Sequence, residues 1–171
     1  TSVLIGFPQG TLDFVIICGR YGDRQAQRHV TFDNGLDQPL FAEIVNALSA
    51  EDVDTCVRAA ERLHRESTDQ DVPKLLQLLD SDDFFIREAA AWPLVEIAGP
   101  SVLKELLHAY QRGLDDGQDN DGFAAALLEL PSLEPAATYA AATHLARTSG
   151  EPMKGHAEWL LTFCDASSRG K

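Results

Sequence analysis

Between Asp80 and Gly99 the chain reads DSDDFFIREAAAWPLVEIAG. On a helix drawn through this stretch, Phe85, Ala89 and Trp92 share one face, and Ile86, Ala90 and Leu94 share the face beside it. A helix on the surface of a globular core needs one apolar stripe. Two adjacent stripes demand neighbours on more than one side, as in an array where each helix packs on its partner and on flanking units. The alanines allow close backbone approach. Asp80, Asp82 and Asp83 suit a tight turn leading into the positive end of a helix dipole, and Gly99 suits a helix stop. Pro93 lies inside the pattern. It lacks a backbone donor and crowds the carbonyl four residues back, so a kink is expected there.

The chain beyond residue 37 has the same grain. Pro39, Pro73, Pro100, Pro135 and Pro152 each stand just ahead of a segment with helical apolar spacing, where a missing N–H costs nothing. The spacing predicts eight helices of about 9–16 residues joined by short links. Ser49, with Asp52 three residues on, reads as an N-cap. Asp71 and Asp121 read as further N-caps, and Pro131 as the stop after Leu130. The pattern also repeats. VRAAERL (Val57–Leu63) matches IREAAAWPL (Ile86–Leu94) at an offset of about 30 residues, and FAAALLEL (Phe123–Leu130) echoes it after an insertion. YAAATHLA (Tyr139–Ala146) carries a similar small-residue run.

The segment LLQLLDSDDFFIREAAAWPLVEIAG, Leu75 to Gly99, resembles a HEAT-like repeat of the bacterial phycobiliprotein-lyase type. The likeness rests on Leu75, Leu76, Leu79, Asp80, Asp82, Ile86, Arg87, Ala89, Ala90, Leu94, Ile97 and Gly99; Pro93 departs from it, since alanine is usual there. The resemblance implies a right-handed α-solenoid of about four antiparallel helix pairs over residues 37–166. It also implies that a turn Asp and a second-helix Arg pair, sometimes between neighbouring repeats, a role that falls on Asp82 and Arg87. Residues 1–36 do not repeat. SVLIGF, LDFVIICG and QRHVTF are rich in β-branched and aromatic residues and broken by glycines. They read as a small antiparallel β meander that caps the first repeat, with a helix through Leu12–Cys18 as the competing reading. Residues 167–171 are expected to be a disordered tail.

Lys and Arg number 14 against 27 Asp and Glu, for a net charge of −13 over 171 residues. Such a field repels phosphate backbones and anionic lipid, and its complement is a basic partner. Cys18, Cys56 and Cys164 are odd in number, lie in apolar settings and form no CxxC pair, which points to a reducing, cytoplasmic setting. No apolar run approaches the ~20 residues of a membrane span, and no secretory leader is expected.

The chemical motifs are missing. In DDGQDNDG (Asp115–Gly122), placing Gly122 at the sixth position of a calcium loop puts Gly117 first and Leu128 twelfth, so both ligand positions fail. His29, His64, His108, His144 and His156 show no metal spacing; His144 and His156 read as core or boundary residues. No GxSxG, GxGxxG or GxxxxGK[ST] occurs. No metal, no cofactor and no catalytic residue is expected.

What remains is a non-catalytic protein-binding scaffold, its surface lined by second helices and directed at a basic protein, without nucleic acid or membrane. Its outward positions include Asp54, Glu61, Arg65 and Glu158, and its candidate binding residues are Arg58, Arg62, Glu88, Glu96 and Glu129. Asp82, Arg87 and Pro93 are structural candidates. The resemblance also implies a bilin lyase-like accessory role, and the charge allows an immunity protein that neutralises a cationic toxin.

Overall fold

The computed structural model describes residues 35–164. Residues 1–34 of the meander expected over 1–36, and the disordered tail expected over 167–171, lie outside them. Eight α-helices follow one another: α1 (Gln38–Leu48), α2 (Val53–Glu66), α3 (Val72–Leu79), α4 (Phe84–Ile97), α5 (Leu103–Asp115), α6 (Asp121–Leu133), α7 (Pro135–Thr148) and α8 (Met153–Leu161). Short 3-10 turns at Asp69–Asp71 and Gly99–Val102 lead into α3 and α5. No strand occurs among the described residues, and this part of the chain is all-α.

The helices associate in sequential pairs, α1 with α2, α3 with α4, and α7 with α8. The second helices also form a layer, in which α4 lies between α2 and α6. On the other side α3 meets α5. The last pair closes the end differently: beyond their contact with each other, α7 packs on α6 and α8 on α5.

The two-striped pattern of α4 has the expected consequence. Ile86, Arg87, Ala89, Ala90, Ala91, Pro93, Leu94 and Val95 are all buried, because α2, α3 and α6 each cover a side. Leu63, Leu75, Leu94, Leu106, Leu107, Phe123, Leu127, Leu130 and Leu160 complete a continuous core. Each such side chain contributes about 1.5–3 kcal/mol of burial. The helix is continuous across Pro93, and the Ala98 N–H still reaches the Leu94 carbonyl at 2.9 Å. Gly99 ends it with φ +55°, and a Cβ there would meet the Glu134 carboxylate. Left-handed backbone and close approach both call for glycine at this stop.

Several expected boundaries move. Ser49 closes α1, and Asp52 caps α2 by accepting from the Thr55 N–H at 2.9 Å. Two cap-type residues stood three apart, and the one adjoining the apolar run won. Of the three acids at the α3–α4 turn, Asp83 caps α4. Asp121 is the first residue of α6 and makes no cap; Asn120 precedes it and sends its amide back to the Tyr110 carbonyl at 2.8 Å. Asp71 does not cap α3 with its side chain; its carboxylate turns inward to the Leu36 N–H. Helix α6 continues through Pro131 to Leu133. Proline there forfeits one helical bond but has a helical φ. The burial of Leu127 and Leu130 holds the turn, and the Leu130 carbonyl accepts from the Glu134 N–H and the Thr138 hydroxyl, each at 2.9 Å.

The Asp–Arg pairing runs between neighbouring pairs rather than within one. Arg87 is fully buried. It donates to the carbonyls of Ser81 and Asp82 at 2.9 and 3.0 Å and forms its ion pair with Asp116 at 2.8 Å, 29 residues on. The Asp82 carboxylate pairs instead with Arg112, 30 residues on, and Arg112 also donates to the Asp80 carbonyl at 2.9 Å. Two arginines thus staple the α3–α4 turn to the α5–α6 turn. Arg58, which stands where Arg87 does in the first pair, is exposed and stays within its own turn, 3.8 Å from Asp52 and donating to the Thr55 hydroxyl at 3.3 Å.

Candidate functional site

The five candidate binding residues do not gather into one site. Arg62 pairs with Glu43 of α1 at 2.7 Å and with Glu66 at 3.1 Å. Glu96 pairs with His64 across the α2–α4 contact at 3.0 Å, where His64 also lies against Trp92. Glu129 is exposed and unpaired among the described residues. Glu88 corrects the expectation of an outward side chain. It is half-buried, and its carboxylate fills the space that a side chain at Gly122 would occupy, at the first turn of α6. A side chain at position 122 would have to displace it.

Burial and the nearby Asp119 push the Glu88 carboxyl above its ordinary value of 4.5, against the pull of the Phe123 N–H. A raised carboxyl favours the protonated folded state. Its contribution to stability is complete below 4.5 and is lost as pH rises through the raised value. Glu88→Gln keeps an acceptor for α6 and removes the charge. Thermal melts should show this variant a few degrees more stable than wild type at pH 7, with the gap closing near pH 4. A variant less stable at pH 7 than at pH 4, relative to wild type, would refute this reading of the contact.

The concave chemistry lies on the first-helix side. A groove of about 500 Å³ runs between α3 and α5. Its floor is apolar: Leu79 and Ala109 are buried and Leu76 half-buried. Its rim carries Asp80, Glu105 and Asp115, with His108, Gln111 and Arg112 between them. The helical repeat places Glu105, His108, Arg112 and Asp115 on one side of α5, three to four residues apart. A second depression of about 300 Å³ shares His108 and Gln111 and continues toward α8, past Lys104, Glu151, Pro152 and Met153.

Hydrogen bonds fix part of this rim. Gln111 donates to Asp115 at 2.6 Å and its carbonyl accepts from His156 Nε2 at 2.5 Å. His156 sits edge-on to Tyr110, whose ring stacks on Trp159 at 5.9 Å, so α8 is bound to α5 through an aromatic cluster. Burial holds the imidazole below its ordinary value, although Glu151 and Asp115 pull it upward; it is neutral at pH 7 and serves as a fixed donor. Arg112 spends its charge on Asp82 and the Asp80 carbonyl. Asp80 and Glu105 have no hydrogen bond or ion pair from their side chains among the described residues.

No group of three His, Cys, Asp or Glu side chains among the described residues could hold a metal ion. In the acidic link, Asp115 takes a bond from Gln111, Asp116 from Arg87, and Asp119 from the Asp121 N–H. His144, read as a core or boundary residue, is exposed. The groove was not foreseen, because its walls come from helices whose contact no local pattern encodes; the recurring polar side of α5 was its one trace. No described helix is long and apolar enough to cross a membrane. Compared with protein-family models, with curated proteins and with solved structures, the chain matches none.

Proposed function

We propose that this chain is a non-catalytic scaffold for a basic protein partner, built as a right-handed HEAT-like α-solenoid. Three features support the solenoid: the layer of α2, α4 and α6, the contact of α3 with α5, and the two arginine–aspartate pairs that tie the α3–α4 turn to the next one across 29 and 30 residues.

The observation that carries the binding role is how charge is distributed. Lys104 and Arg147 are the only lysine or arginine side chains among the described residues without an ion pair. Asp54, Glu61, Asp80, Glu105 and Glu129 have none. Most cations are already held by acids of this chain, many of them at the surface, so the charges left without a partner are mostly negative. A surface of this kind attracts cationic proteins and repels polyanions.

Affinity purification of the tagged full chain from its native cells tests the proposal. The partner identified by mass spectrometry should be basic and should elute as salt rises toward about 1 M, where the screening length falls to about 3 Å. An acidic partner, or one held equally at low and high salt, would refute it.

A further inference from the structure

We propose that the groove between α3 and α5 receives a lysine or arginine side chain of the partner, so that a basic segment docks on the first-helix side. This rests on the scaffold reading above. Lysine and arginine carry an apolar stem and a charged head, and they lie best where the stem covers hydrocarbon and the head meets carboxylates. The groove offers both in that order. Leu76, Leu79 and Ala109 form the floor, and Asp80, Glu105 and Asp115 stand at the rim.

Within the groove the competing cation is already engaged, while Lys104 of the adjoining depression has no ion pair. Arg112 is held by Asp82 and by the Asp80 carbonyl, and so is turned to the α3–α4 turn. Asp115 is oriented by Gln111, which His156 holds in turn. Asp80 and Glu105 remain without a cation. An anion would meet three carboxylates, and a wholly apolar side chain would strip water from them without pairing them. The adjoining depression toward Met153 continues the groove along α5, which lets an extended segment lie across it rather than end in it.

The second-helix surface is a poorer host for the same ligand. Its carboxylates Glu66 and Glu96 are engaged by Arg62 and His64, and Glu88 is enclosed at Gly122. Its unpaired acids, Asp54, Glu61 and Glu129, are exposed on α2 and α6.

Fluorescence anisotropy with labelled nona-lysine, at pH 7.5 and low salt on the full chain, tests this. Two variants each remove two negative charges from exposed positions. Asp80→Asn with Glu105→Gln removes them at the groove, and Glu61→Gln with Glu129→Gln removes them on the second helices. The groove pair should weaken binding about fivefold to tenfold, from two exposed ion pairs lost, and the other pair less than twofold. In a titration of the wild-type chain followed by NMR, the resonances of Leu76, Leu79 and Ala109 should shift saturably, a readout that needs no variant. Equal losses from both pairs, or shifts centred on α2 and α6, would overturn the groove and leave the scaffold reading standing. Failure of the wild-type chain to bind nona-lysine at all would overturn the scaffold reading, and the groove's occupant with it.

Discussion

Replacing Arg87 by alanine should cost about 3–5 kcal/mol, the scale seen when one member of a buried charged network is removed. That is a large part of the 5–15 kcal/mol available to a domain. Arg87 has no exposed surface, and its guanidinium does several things at once. One nitrogen serves the carbonyls of Ser81 and Asp82, the other holds Asp116, and the plane lies 5.7 Å from the centre of the Phe84 ring. Its Nε has no partner, so the site is not fully satisfied even in the native chain. Alanine would leave two turn carbonyls without donors and open a void beneath them.

Two further substitutions separate these effects. Arg87→Met fills most of the void yet supplies no donor, and should recover about 1–2 kcal/mol relative to alanine. Arg87→Lys keeps the charge, but a single ammonium cannot span two carbonyls and a carboxylate in a fixed fork, and it should stay well short of wild type. Urea unfolding at pH 7 measures all three. A loss below about 1 kcal/mol for alanine would show that the α3–α4 and α5–α6 turns hold together without the staple. Asp116 is nearly half exposed and asparagine keeps an acceptor, but it leaves the buried Arg87 without its counter-charge, so Asp116→Asn should cost about 1–3 kcal/mol, less than Arg87→Ala.

How far the sequence spoke for itself can be judged at Arg87. The cover on several sides of α4 followed from its double stripe, but Arg87 lies in neither stripe and its own burial was not read there. The identity of its partner did not follow. Asp82 stands five residues away, and Asp116 stands 29 away behind an intervening helix. A pattern of spacings ranks the near pair first, because it cannot say which neighbouring turn will lie beside this one.

Glu88 went astray for a related reason. An acid between a buried arginine and a buried alanine reads as solvated, and the clue to its burial was a missing side chain at Gly122, on another helix. The caps of α2 and α6 slipped because Ser, Asp and Asn are interchangeable there on local grounds. The groove depends on a relay from His156 to Gln111 to Asp115, whose first step spans 45 residues. Local patterns thus reached the helices and their buried faces, whereas the polar contacts that shape the surface depend on which turns and helices meet.

The second large effect is expected at Asp71. Asp71→Ala should lower stability by about 3 kcal/mol. A carboxylate with no exposed surface is costly unless its lone pairs are filled, and here they are. Both oxygens accept from the Leu36 N–H at 3.0 Å. One takes the Thr68 N–H and hydroxyl at 3.0 and 3.1 Å, and the other takes Lys74 Nζ at 3.1 Å. Lys74 in turn donates to the Leu36 carbonyl at 2.5 Å, so both main-chain polar groups of Leu36 are held from the start of α3.

Burial alone would push this carboxyl up. The bonds from Leu36, Thr68 and Lys74 outweigh it and hold the carboxyl below its ordinary value of 3.8. A depressed carboxyl contributes stability that is complete above 3.8 and is lost as pH falls through the folded value. The alanine variant should therefore start from a lower plateau at pH 7 and lose less than wild type between pH 4 and pH 2. Asp71→Asn separates charge from shape: it keeps one acceptor, turns an amide toward the N–H groups of Leu36 and Thr68, and leaves Lys74 without its counter-charge, so it too should be destabilised. Native-state hydrogen exchange gives a local readout, since the amides of Leu36 and Thr68 should lose protection before those of α4. If alanine at position 71 left both amides protected and the acid limb unchanged, the inward turn of this carboxylate would not be what fixes Leu36 against α3.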